Sequence, residues 1–163
     1  MRSKKEITKE EALSRLEGLC SRSEQCESDL ERKLFYWKIS AADRREIIER
    51  LREGRFVDDN RFARSYANDK ARFSAWGPAK IRAELFKKKI KAPVITEALN
   101  GVEKGVWKDG LERSYRAKLR SLRIEGELTF EDNQKIYRYL IGRGFPGGAI
   151  GKRLRDQNLD SGS

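Results

Sequence analysis

One apolar pattern recurs within this chain, and it limits the folds open to it. Ile81, Leu85, Ile90, Ile95 and Leu99 return without a gap, 55 positions later, as Ile136, Leu140, Phe145, Ile150 and Leu154. A third copy lies upstream, where Leu30, Leu34 and Ile39 precede Ile81, Leu85 and Ile90 by 51 positions, with Ile47 and Leu51 following after a slightly longer connection. Self-similarity at such a period marks a supersecondary unit that buries its apolar face by being repeated. The spacing within each copy is that of helix, turn, helix. Another amphipathic stretch precedes each pair: Leu13, Leu16 and Cys20, then Phe62, Tyr66 and Phe73, then Tyr115, Leu119 and Leu122. Alternation of β-branched residues is missing. The expected fold is therefore all-α, an elongated array of three tandem three-helix units with about nine helices. The units run over 1–55, 56–101 and 102–156, and a flexible tail over 157–163.

Helix starts are marked independently of the repeat. Pro78, Pro93 and Pro146 sit at candidate first positions, where a missing N–H is harmless. Thr8 with Glu11, Ser40 with Asp43 and Thr129 with Asp132 have the spacing of a capping box. Trp37, Trp76, Trp107, Tyr36 and Phe35 could stack on bases or anchor a protein partner, but most are expected in the cores, because small bundles need large side chains to bury enough area. Phe86 lies about 120° from the apolar seam of its helix and is expected to face a neighbouring unit or a partner.

Composition removes most catalytic chemistry. The chain has 163 residues and no histidine, so it lacks an imidazole base, a Ser-His or Cys-His nucleophile pair and a His metal ligand. Cys20 and Cys26, separated by five residues, suit neither a zinc site nor a disulfide framework. No enzymatic activity, metal or cofactor is expected. No run approaches the roughly 20 apolar residues of a membrane span, and no signal core follows the charged N-terminus, so a cytoplasmic location without membrane association is expected. The string Gly142, Gly144, Gly147 imitates a dinucleotide fingerprint, but a helix precedes it where a strand is required. Gly147 with Gly151 and Lys152 imitates a phosphate loop one residue short, with Arg153 where Ser or Thr should be.

A net charge of +11 points to a polyanionic partner. Residues 1–55 carry 14 basic and 12 acidic groups, 56–101 carry 10 and 5, and 102–163 carry 13 and 9, so the excess lies mainly in the second and third units.

The densest local signal runs from Gly54 to Ala63. Gly54 is expected in the left-handed position that closes a helix, and Asp58 as the N-cap of the next, worth ~1 kcal/mol. Val57 and Phe62 are expected to form a hydrophobic staple across that cap. Asp58 and Asp59 read as helix-start acids, since the helix dipole favours the ionised form and makes a poor proton donor. About 20 residues later come Trp76, Gly77, Pro78, Lys80, Ile81, Arg82, Glu84 and Leu85.

An aspartate pair followed by x-Arg-Phe-Ala, then Gly-Pro-x-x-Ile-x-x-Glu-Leu, in tandem three-helix units, resembles the RecX family, regulatory proteins of the RecA recombinase. The resemblance covers about Leu13 to Leu154, with Gly54, Val57, Asp58, Asp59, Phe62, Gly77, Pro78, Ile81 and Leu85 as its structural motif. Leu140, Gly144 and Phe145 fit it too, whereas Lys89 stands where the family usually has a helix-ending glycine. The resemblance implies a monomer that lies in the groove of the RecA–DNA filament and modulates it, commonly as an inhibitor of strand exchange and coupled ATP hydrolysis, within DNA repair, recombination and the SOS response. The implied partners are the RecA filament and single-stranded DNA, with double-stranded DNA as a second form.

Helical geometry supplies candidate contacts. With Ile81 and Leu85 inward, Lys80 and Lys87 face outward with Arg82 at one flank, and Arg64 lies outward on the preceding helix. Arg61, Arg72 and Lys88 complete the expected filament- and DNA-binding set. Two alternatives stand beside this one: a helix-turn-helix DNA-binding protein acting without RecA, and a basic helical scaffold for acidic proteins.

Overall fold

The computed structural model describes residues 6–160, with side chains through Gln157. Among the described residues every regular element is an α-helix: α1 (Lys9–Arg22), α2 (Glu27–Tyr36), α3 (Ala41–Glu53), α4 (Asp59–Phe73), α5 (Pro78–Lys87), α6 (Ala92–Asn100), α7 (Lys104–Leu122), α8 (Phe130–Gly142) and α9 (Gly147–Asp160). The repeat is a burial pattern. Leu30, Leu34, Ile47 and Leu51 in the first copy, Ile81, Leu85 and Ile95 in the second and Ile136, Leu140 and Ile150 in the third are all essentially inaccessible to solvent. They fall into three separate cores. Helices α1–α3 enclose the first around Leu16, Leu30 and Ile47. Helices α4–α6 enclose the second, where the alanine face of α4 (Ala63, Ala67, Ala71) lets α6 approach closely. The third, from α7–α9, is built on Tyr115, Ile136 and Phe145.

The middle helix of each module ends in the same way. The backbone N–H of Ile39, Ile90 and Phe145 donates to the carbonyl of Leu34, Leu85 and Leu140 respectively, five residues back. The residue between takes a positive φ: Lys38 at 62°, Lys89 at 59° and Gly144 at 94°. This is a Schellman close, with the apolar pair on either side of it buried. Lys89 thus holds the left-handed pose itself, and α5 does not run on. The penultimate helical residue is turned outward by the same geometry, which leaves Phe35 68 %, Phe86 73 % and Ile141 44 % exposed.

Helix starts follow the sequence signals with small shifts. Thr8 and Thr129 form complete capping boxes, while Ser40 only accepts from the Asp43 N–H. Pro78 is the first residue of α5, Pro93 the second of α6, and Pro146 directly precedes α9. The last helix continues through Asp160, so residues 157–160 of the expected tail are helical, and 161–163 lie outside the described residues.

Four local expectations are corrected. Gly54 adopts φ −75°, and Arg55 takes the left-handed position at φ 57°. Glycine at 54 answers instead to space, since a Cβ there would stand 3.0 Å from the Phe56 ring. Val57 and Phe62 do not form a staple across Asp58: Val57 is buried in the first core and Phe62 in the second, because the chain changes module at that cap. Phe35 and Tyr36 are not core residues, being 68 % and 86 % exposed at the end of α2. Phe73, expected on the inward stripe of α4, is 80 % exposed because Ala67 and Ala71 hold that stripe instead.

Adjacent modules are clasped together. Between the second and third, the Gly77 N–H donates to the Arg143 carbonyl at 2.7 Å and the Ala79 N–H to the Gly144 carbonyl at 3.0 Å. The Arg143 guanidinium donates back to the Ser74 and Ala75 carbonyls, and Ser114 also donates to Ala75. A Cβ on Gly77 would lie 2.3 Å from the Gly144 carbonyl carbon, and one on Gly144 would lie 2.4 Å from the Lys80 nitrogen.

Two stability outcomes follow from this backbone. Lys89→Gly removes the left-handed penalty and is expected to raise the urea-unfolding free energy by about 1 kcal/mol. Gly77→Ala forces the two module turns apart and is expected to lower it by about 3 kcal/mol, at the upper end for overpacking. An unchanged urea midpoint in the Gly77 variant would contradict the clasp.

Candidate nucleic-acid interface

The basic side chains expected to contact a polyanion divide by what already holds them. Pro78 starts α5, and the helical period turns Ile81 and Leu85 into the core. Lys80 projects away from that seam and places its ammonium 4.3 Å from the Trp76 ring centroid, with Lys70 4.8 Å from the same ring. Two cations thus share one indole, whose negative faces favour them. Arg82 is exposed, and both its terminal nitrogens lie 3.3 Å from the Thr96 hydroxyl. Lys87 is exposed and donates to Glu84 at 2.9 Å, one turn back on the same helix. Such an exposed pair contributes little and yields readily to a stronger anion. Arg64 is exposed on α4 and makes no ion pair among the described residues. Arg72 reaches Glu103 at 3.8 Å, and its carbonyl accepts from Arg113.

Arg61 and Lys88 are placed differently, within the junction of the first two modules. Arg61 pairs with Glu24 at 2.5 Å and donates to the carbonyls of Arg55 and Phe56. Lys88 pairs with Asp29 at 2.7 Å, and its carbonyl accepts the Ser28 hydroxyl. Burial alone would push the Asp29 carboxyl up, but the Lys88 hydrogen bond and charge outweigh it and hold it below the ordinary carboxylate range. Lys88 is shifted up in turn, its own burial overcome by Asp29.

The two aspartates of the motif serve different helices. Asp58 caps its own helix, accepting the Arg61 N–H at 3.1 Å. Asp59 reaches across the junction and accepts the Glu27 N–H at 3.0 Å. Glu27 opens α2, whose N-cap residue Cys26 provides no side-chain bond, so Asp59 caps α2 from the neighbouring module. Desolvation raises the Asp59 pKa despite that bond. The sequence signal for this role was the pair itself: one helix start needs one capping acid, and the second was spare.

The phosphate-loop imitation at the start of α9 has another use. Arg153 makes a forked contact with Glu112 at 2.6 and 3.1 Å and stands 4.1 Å over the Tyr115 ring, tying α9 to α7. The Arg153 hydrogen bond is the main cause that brings the Glu112 carboxyl down to about 2, against desolvation and with help from Arg116. Among the described residues no three His, Cys, Asp or Glu side chains are grouped to hold a metal ion. No described helix is long and apolar enough to cross a membrane.

Comparison with known proteins gives one consistent result. A family model described as "RecX, second three-helix domain" matches residues 58–99, from the capping Asp58 to Leu99. The chain is 31% identical over 133 residues to the regulatory protein RecX of Xanthomonas axonopodis pv. citri, a match covering 82% of this chain and 79% of that protein. It is 32% identical over 100 residues to the regulatory protein RecX of Clostridium botulinum strain Eklund 17B, covering 61% of this chain and 46% of that one. The chain therefore spans about half the length of the clostridial relative, 46%. Among solved structures, a crystal structure of regulatory protein RecX superposes with a TM-score of 0.79 at 25% identity, covering 91% of this chain and 71% of that one.

The Glu112 network has a measurable pH signature. A carboxyl held at about 2 in the folded chain, against 4.5 ordinarily, adds stability that is complete above 4.5 and is lost as the pH falls toward 2. Glu112→Gln is expected to lower the urea-unfolding free energy at neutral pH. The difference from the parent chain should shrink as the pH is taken down through that window. A difference that stays constant from neutral pH to pH about 2 would contradict the assignment.

Proposed function

This chain belongs to the RecX family of regulatory proteins, and from that premise we propose that it binds the filament that RecA forms on DNA and restrains the recombinase's ATP hydrolysis and strand exchange. It acts as a monomer in the cytoplasm and performs no chemistry of its own. The observation that carries this reading is the serial clasp: three small modules, each with its own core, held to one another by hydrogen bonds at both junctions. Such a chain of like modules suits a partner that is itself a repeat of like subunits, and each further module engaged multiplies avidity without new chemistry. Cations outside the junctions, including Arg64, Arg82 and Lys87, together with Lys80 at the edge of the second junction, supply sequence-independent attraction to a polyanionic track.

The test is RecA-coupled ATP hydrolysis on single-stranded DNA, with strand exchange measured alongside. The expected result is a dose-dependent fall in both, weaker as salt is raised. The triple variant Lys80→Glu, Arg82→Glu, Lys87→Glu, with unchanged circular dichroism, should require about tenfold more protein for the same effect. Unaltered hydrolysis and strand exchange at saturating protein would reject the reading.

A further inference from the structure

We propose that the C-terminal end of α2, in the first module, is a binding site for single-stranded nucleic acid, with Phe35 and Tyr36 stacking bases and the basic grooves on either side of the helix taking the phosphates. This deepens the nucleic-acid part of the preceding proposal and rests on it. It also moves the strongest contact away from the second module, where the charge count is most positive.

The site is a ridge between two grooves. Phe35 and Tyr36 stand on the ridge, 68 % and 86 % exposed. On the α1 side lies a groove of about 440 Å³ lined by Arg15, Arg22, Lys33 and Trp37, among others, with no carboxylate in its walls. Among the described residues, none of these three cations is in an ion pair; Arg15 stands 5.8 Å over the Trp37 ring. On the other side, between α2, α3 and the end of α5, lies a second groove of about 240 Å³. Arg32, Arg44, Lys87 and Lys89 reach it, against the single carboxylate of Glu31. The Arg44 guanidinium lies 5.4 Å from the Phe35 centroid and donates to the Ile39 carbonyl at 2.7 Å, while its Nε is buried with no hydrogen-bond partner.

The first module is nearly neutral in total, yet several of its acids are held in ion pairs away from the α1–α2 groove. Glu46 binds Lys9 and Arg50, Glu27 and Glu49 bind Arg52, Glu24 binds Arg61, and Asp29 binds Arg32 and Lys88. Apart from Asp29–Arg32 on α2 itself, those pairs lie along α3 and the junction. What remains beside α2 is Arg15, Arg22, Lys33, Arg44 and Lys89, in no ion pair among the described residues, flanking two bare rings. Cations alone would serve any polyanion. Two adjacent exposed rings add the feature specific to unpaired bases, since base–ring stacking tolerates any sequence and a duplex keeps its base faces covered.

The experiment is fluorescence anisotropy of a short labelled oligothymidylate at low salt, with the full chain and without RecA. Phe35→Ala with Tyr36→Ala should weaken binding about tenfold or more. Arg22→Glu with Lys33→Glu should weaken it by a similar factor and flatten the dependence of log affinity on log salt. All four side chains are exposed, so circular dichroism should show parental helicity in both pairs. The aromatic pair should lose little on an abasic backbone of the same length, and a duplex of that length should bind the parent chain more weakly. The proposal is overturned by absence of oligothymidylate binding in the parent chain, by parental affinity in both variant pairs, or by an abasic strand bound as tightly as oligothymidylate. Equal affinity for polyglutamate, lost in the same variants, would assign the ridge to an acidic protein and overturn it too. Oligothymidylate binding without any effect on RecA would leave the α2 site standing and remove the regulatory reading. An effect on RecA without oligothymidylate binding would do the reverse.

Discussion

The structure depends on backbone approach between modules. A core as small as the third, with five buried side chains in its centre, contributes little cohesion on its own. The third module gains the rest by pressing its α8–α9 turn against the α4–α5 turn, where Gly77 and Gly144 let two backbones meet and exchange hydrogen bonds. At the other junction the contacts are side-chain ones, with Asp59 capping α2 and Lys88 held by Asp29. One joint excludes Cβ atoms, the other pairs charges. Both fix the next module before any partner is present.

Much of this fold was legible because the repeat and the burial pattern are the same fact. The residues that recur at intervals of 55 and 51 are those the three cores enclose, and Asp58 and Pro78 stand at the helix starts their chemistry suggests. The misses share one cause: a local rule was applied where a neighbouring module decides. Val57 and Phe62 have the spacing of a staple, but a module boundary runs between them. Asp59 reads as an acid of its own helix start, whereas the helix it caps begins 32 positions earlier in sequence. Phe35 and Tyr36 were assigned to a core on size, whereas the Schellman close turns the end of α2 outward.

Charge was the least legible feature. A count by segment treats every carboxylate as cancelling the nearest base, although cancellation depends on reach. In the second module, Arg61 and Lys88 are drawn into the junction and Lys87 into a pair with Glu84, so part of that module's excess is already engaged. In the first, Glu24, Glu27, Glu46 and Glu49 pair along α3 and the junction, and Arg15, Arg22 and Lys33 stand beside a groove without a carboxylate. The helical period could have hinted at this, since Glu46–Arg50 and Glu49–Arg52 have pairing separations, while Arg22 has no acid one turn away to the N-terminal side.

Cys26 belongs to the first module by position and to the second by packing, where it is fully buried among Phe62, Ile81 and Leu85. The covalent border and the border between cores are therefore offset: the first module leaves Cys26 inside the second core, and the third packs Val106 and Trp107 against it. A lineage that duplicates or swaps such units cannot cut at the linker and keep both halves whole. Recombination among these genes is constrained to exchange neighbours together, or to refill the vacated seat.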